Sequence, residues 1–231
     1  MSDPSYAAIL GFGFLLGLRH ALDADHLAAI STVLAERPSF WESGAVGFWW
    51  GIGHTTTLLL VGAVVLALDI SISEPFEVIA ESGVGLLLIA LGVTLAWKLY
   101  RDRWHVHSHH HDDGPHVHFH SHRQQDDHRH RHWMAGSIRP LCIGMVHGLA
   151  GSAALMLIVL SSTHELGSGL FSIVVFGVGS IVGMMAIGLT ISLPLVYSLA
   201  ASRRLFVGLQ GCAGVASICI GVWMLARMTW F

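Results

Sequence analysis

The sequence predicts an all-α membrane protein: six transmembrane helices, a three-plus-three inverted repeat, and a first helix that is locally broken. Three observations carry that prediction. The 231 residues are 53% hydrophobic and only 12% charged, against roughly 25% charged in a soluble domain, and the mean hydropathy is +0.63. Seven of the 12 Lys and Arg and 12 of the 17 His crowd between Lys98 and Arg139, which leaves a long apolar stretch on either side. Those two stretches also align with each other. A net charge of −3 leaves no basic footprint for nucleic acid, so no nucleic-acid partner is expected. Cys142, Cys212 and Cys219 are too few for a disulfide framework and are expected to pack as small apolar residues.

A spanning helix needs about 20 mostly apolar residues. The runs that qualify are 6–34, 44–68, 78–100, 140–162, 169–199 and 205–230. Pro38, Glu74-Pro75, Pro140 and Arg203-Arg204 are expected to mark the turns between them. The start, Met1-Ser-Asp-Pro, lacks a basic n-region, so the first run reads as a retained helix and not a cleaved signal. The chain divides into a first three-helix half (1–100), a disordered His-rich loop (101–139) and a second three-helix half (140–231).

Orientation follows from the distribution of Lys and Arg. Arg37, Lys98, Arg101, Arg103, Arg139, Arg203 and Arg204 collect on one side, whereas the N-terminal side holds Asp69, Glu74, Glu77, Glu81 and Glu165 with Arg227. The expectation is a multi-pass protein of the plasma (inner) membrane with both termini outside and the His-rich loop in the cytoplasm. Trp41, Trp97, Tyr100, Trp104 and Trp133 would form an aromatic belt on the cytoplasmic side.

A shift of about 127 residues lays Gly17-x-x-His20-x-Leu22 on Gly144-x-x-His147-x-Leu149. It also lays Gly51-x-Gly53 and Gly62 on Gly177-x-Gly179 and Gly188, and Gly85 with Gly92-Val93 on Gly214 with Gly221-Val222. Three spans per half is an odd number, so the second half runs inverted. That architecture recurs in secondary transporters, with the substrate near the midplane.

The chemistry concentrates in the first span, which reads Arg19-His20-Ala21-Leu22-Asp23-Ala24-Asp25-His26. Each charged group at the centre of a membrane helix costs about 2.5–3.5 kcal/mol on insertion scales, so such residues pair, face the interior or mark an ion path. Residues 6–18 are too few to span, which puts the cluster inside the membrane. Histidine with carboxylate suits first-row divalent ions. At 100° per residue His20, Asp23 and His26 share an arc of about 120°, and Asp25 points away from it. Either the helix is unwound around residues 17–25, the favoured reading, or Asp25 serves a neighbouring contact. His54, in Gly53-His54-Thr55-Thr56, is the only ionisable group of residues 44–68 and a further candidate ligand. His147 stands at the repeat position of His20, but Asp25 and His54 map onto Ser152 and Ser180, which predicts one asymmetric site. His164-Glu165 reads as a solvated surface pair.

Arg19–His26 matches the H-x4-D-H signature of the nickel/cobalt transporter family, and Gly53-His54-Thr55-Thr56 resembles that family's second motif. The resemblance is dense over 17–34 and 47–60 and diffuse elsewhere. It implies metal-binding roles for His20, Asp25, His26 and His54. Members of that family typically have eight helices with the signature in the second; here it lies in the first, as in a shorter six-helix relative with a His-rich loop.

Residues 105–132 hold 12 His in 28 positions. Such a tract binds nickel, cobalt, zinc or copper with little discrimination. It speaks for metal handling and hardly at all for direction. The resemblance, together with this tract, implies a transporter of Ni2+ or Co2+, with uptake favoured by the match to the family's first motif and with His20, Asp25, His26, His54, Asp23 and His147 as candidate metal residues. The ion is substrate, and no cofactor is expected. A cytoplasmic metallochaperone and a second copy of the chain are candidate partners. Efflux through the same site, a membrane metal-dependent enzyme and a tethered metal reservoir are the competing readings. No H-E-x-x-H or comparable catalytic motif supports the enzyme.

Overall fold

The computed structural model describes residues 4–36, 39–102, 133–151 and 165–228. Among them it forms seven helices and no strand: α1 Pro4–His20, α2 Ala24–Ala35, α3 Phe40–Leu68, α4 Glu74–Asp102, α5 Trp133–Ala150, α6 Leu166–Ala201 and α7 Arg203–Met228. The His-rich tract and His164 lie outside the described residues.

Four of the helices, α3, α4, α6 and α7, are each long and apolar enough to cross a membrane. Large apolar side chains stand open along them: Leu60 is 61% exposed, Ile79 71% and Tyr197 72%. A soluble bundle would leave so much apolar surface in water; in hydrocarbon it is matched. Cys142, Cys212 and Cys219 are free and belong to this open surface, not to the helix contacts expected of them.

The run expected as one broken span is two helices, with the break confined to Ala21, Leu22 and Asp23. Pro140, expected to open a helix, falls inside α5, which starts at Trp133. In a membrane bundle, neighbouring helices and local backbone adjustment re-satisfy what an internal proline removes. α6 and α7 are separated by Ser202 alone, whose extended backbone still donates its N–H to the Ser198 carbonyl at 2.9 Å. α3 ends at Asp69, held in the left-handed region at φ 50°, a conformation that Asp tolerates better than most residues.

Glycines set how closely the helices approach. A Cβ on Gly17 of α1 would collide with the Phe176 carbonyl of α6, and one on Gly179 of α6 with the Phe14 carbonyl of α1. The same reciprocal pattern joins α3 to α5: Gly144 lies on the Trp50 carbonyl and Gly53 on the Leu141 carbonyl. Gly92 of α4 lies 2.5 Å, counted from an added Cβ, from the Gly214 carbonyl of α7, and Gly221 lies 2.5 Å from the Gly85 carbonyl. Such small-residue seams are how membrane helices gain van der Waals contact without a hydrophobic driving force. Buried hydroxyls and amides add bridges: Ser217 Oγ donates to the Leu88 carbonyl at 2.9 Å and Gln210 Nε2 to the Ala35 carbonyl at 2.6 Å. The result positions α3 at the centre, against α5 and α6, with α1 on α6 and with α2 and α4 on α7.

Candidate metal site

His20 is the last residue of α1 and His26 lies in the first turn of α2, so the break between the helices brings the two rings together edge to face at 4.8 Å between centroids. His54 sits midway along α3, 14 residues from each end, and its ring centroid lies 5.1 Å from that of His20 and 5.3 Å from that of His26. The three imidazoles each present a nitrogen within 4.8 Å of the others. His20 Nε2 and His54 Nε2 are 3.2 Å apart. Two nitrogens bound to one ion at about 2.0–2.1 Å in tetrahedral geometry stand about 3.3 Å apart, so this pair already has a ligand-like spacing.

Both carboxylates face the histidines' other nitrogens. Asp23 Oδ2 is 2.8 Å from His20 Nδ1, and Asp25 Oδ1 is 3.2 Å from His26 Nδ1. A carboxylate on Nδ1 fixes the tautomer and leaves Nε2 as a lone pair, the arrangement found behind metal-bound histidine. His26 Nε2 and His54 Nδ1 are buried with no partner among the described residues. Uncompensated polar atoms in an apolar interior are costly, and both belong to the cluster of three imidazoles. A divalent cation is the group that suits this donor set.

His147 of α5 lies behind, its ring 5.2 Å from that of His26 and 5.0 Å from that of Trp50. Its Nδ1 donates to the Ile143 carbonyl at 3.0 Å, and its Nε2 is buried without a partner among the described residues. Ser180, the repeat position of His54, carries no metal-binding group; its Oγ donates to the Gly17 carbonyl at 3.3 Å and anchors the end of α1.

The site is reached from one end. A cavity of about 600 Å3 opens where α4 starts and α7 ends, and its wall includes Arg19, His20, Asp23, Asp25, Glu77 and Glu81. Arg19 stands exposed in this wall and makes no ion pair among the described residues. His26, His54 and His147, at 4%, 0% and 1% exposure, lie deeper.

Toward the other end of α2 stands a residue that sequence reasoning passed over. Glu36, just beyond α2, accepts hydrogen bonds from Arg139 Nη1 at 2.8 Å and Nη2 at 3.2 Å, and pairs with Lys98 Nζ at 2.7 Å. Burial pushes its carboxyl up, but the hydrogen bonds from Arg139 and Lys98 outweigh that and hold it below the ordinary carboxylate value. The sequence signal was faint: an acid beside Arg37 on the side that collects Lys and Arg.

Comparison with known proteins bears on what this arrangement serves. A family model described as high-affinity nickel-transport protein matches residues 6–226. The chain is 33% identical over 198 residues to the urease accessory protein UreH of Bacillus sp. (strain TB-90), covering 86% of this chain and 82% of that relative. It is 34% identical over 90 residues to a high-affinity nickel transport protein of Cupriavidus necator, covering 36% of this chain and 24% of the relative. A nickel transporter NixA of Staphylococcus aureus is 42% identical over 65 residues, 26% of this chain and 19% of its own. No solved structure matches. These matches place the protein among transporters and not enzymes. With the family model covering nearly the whole length, the chain belongs to the NicO family of high-affinity nickel-transport proteins.

Proposed function

We propose that the protein imports Ni2+, and Co2+ with it, across the plasma membrane by binding the ion between His20, His26 and His54 at mid-membrane. The observation that carries this reading is the convergence of three imidazoles, two of them backed by carboxylates, at the middle of α3. Asp23 and Asp25 offset the ion's charge and keep the Nε2 lone pairs available. The cavity lined by Glu77, Glu81, Asp23 and Asp25 carries more carboxylates than guanidiniums, which favours a cation on its way in.

We read the six expected spans as two inverted halves, with α1 and α2 together counting as one. The reciprocal glycine seams support this. Adding about 127 residues to the α1 side, and removing about as many from the α6 side, turns Gly17 on Phe176 into Gly144 on Trp50. Rocking of the halves then alternates access, as in other inverted-repeat transporters. The cavity side is outside and the Glu36 end is cytoplasmic, a reading that the excess of Lys and Arg there supports.

Flux of radioactive nickel into proteoliposomes tests the site. Wild-type protein transports and His26→Ala does not; intact flux in His26→Ala overturns the ligand assignment. Deletion of 105–132 leaves flux in place; if it abolishes flux while His20→Ala does not, the tract is the working part. Direction is read in cells, where expression raises nickel accumulation; lower accumulation than in control cells means export.

A further inference from the structure

His20 and His147 occupy equivalent places in the two halves. Each lies three residues after a glycine, Gly17 or Gly144, that sits on a carbonyl of a central helix, at Phe176 or Trp50 respectively. Each ring is close to His26, with centroids 4.8 Å away for His20 and 5.2 Å for His147. They differ in what reaches them. His20 is part of the cavity wall, whereas His147 is 1% exposed on the far side, against Trp50. Its Nδ1–H is committed to the Ile143 carbonyl, so Nε2 is a lone pair, and it has no donor near it among the described residues. A purely structural histidine in hydrocarbon would be expected to satisfy both nitrogens.

We propose that His147 is the release-side ligand: when access switches, the ion keeps His26 and His54 and exchanges His20 for His147. The inference rests on the transport reading above and adds a residue and an order of events to it. His26 is the pivot, since its ring lies within 5.3 Å of all three others. His20 and His54 are already 3.2 Å apart at Nε2, and His147 Nε2 has no hydrogen-bond partner among the described residues. An inverted repeat supplies the reason, because the opposite state should present each half in the other's conformation.

The test separates binding from turnover in the purified full-length protein. Equilibrium binding of Ni2+ in detergent and X-ray absorption of the bound ion are measured for wild type, His147→Gln, His147→Asn and His54→Gln, alongside flux in proteoliposomes. Both His147 variants are expected to keep wild-type nickel affinity and imidazole count while flux falls by at least about tenfold. Retained binding also reports that they are folded. His54→Gln loses affinity and flux together. Unchanged flux in the His147 variants overturns the proposal. So does a loss of affinity and imidazole count like that of His54→Gln, which would make His147 an ordinary member of one four-histidine site. Absence of nickel binding and flux in wild type would instead refute the transport reading itself.

Discussion

Asp25 holds His26 through Nδ1 and does not itself face the three converging nitrogens, so its removal should weaken the ion's hold without dismantling the site. Asp25→Asn is expected to lower nickel affinity by about 10- to 100-fold while leaving the melting temperature close to wild type, read by titration calorimetry and thermal scanning. Asp23→Asn should act likewise through His20. The sequence made His20, His26 and His54 legible because ionisable groups are so unwelcome in apolar runs that their presence alone is informative. What it could not supply was the partner of each carboxylate. A helical wheel separates Asp25 from the others, and only the chain break shows that each aspartate turns to its own histidine. Glu36 was illegible for a related reason: its importance comes from Lys98 and Arg139, 62 and 103 residues away along the chain.

At the level of helices, the seams and the clamp respond differently to perturbation. Gly53→Ala and Gly144→Ala press a methyl group into a backbone carbonyl of the neighbouring helix and should each cost about 1–3 kcal/mol. Gly211→Ala meets nothing within 4 Å and should stabilise α7 by about 0.5–1 kcal/mol. Melting temperatures of the three variants in detergent check the ordering. The Glu36 clamp has a pH signature. Its carboxyl is held below the ordinary value of 4.5, so it contributes stability that is present above that value and is lost as pH falls through the lower, folded one. Wild type should therefore lose melting temperature on acidification more steeply than Glu36→Gln. The break between α1 and α2 was readable because residues 6–18 are too few to span and the helical wheel scattered the ligands. The position of Pro140 inside α5 was not, since the rule that proline ends a helix comes from water and weakens where neighbouring helices re-satisfy the backbone.

For the molecule as a whole, the cavity and the clamp make opposite ends unequal, and that can be read directly. In a background with Cys142, Cys212 and Cys219 replaced by serine, Glu81→Cys should react with a membrane-impermeant thiol reagent in intact cells, and nickel should slow the reaction. Labelling only in inverted vesicles would place the cavity on the cytoplasmic face. The class of the fold was legible from composition; the pairing of helices was not, because glycine seams look alike until the partners are known. The short link of Ala21, Leu22 and Asp23 has a final consequence. His20 rides on α1, which leans on α6, whereas His26 rides on α2, which leans chiefly on α7. The two rings are thus the tips of separate levers that share one fulcrum. On the proposed transport reading, any change in the angle between them alters the gap that holds the ion. The ion's grip and the protein's posture become two readings of a single hinge, and each must shift the other by the same free energy.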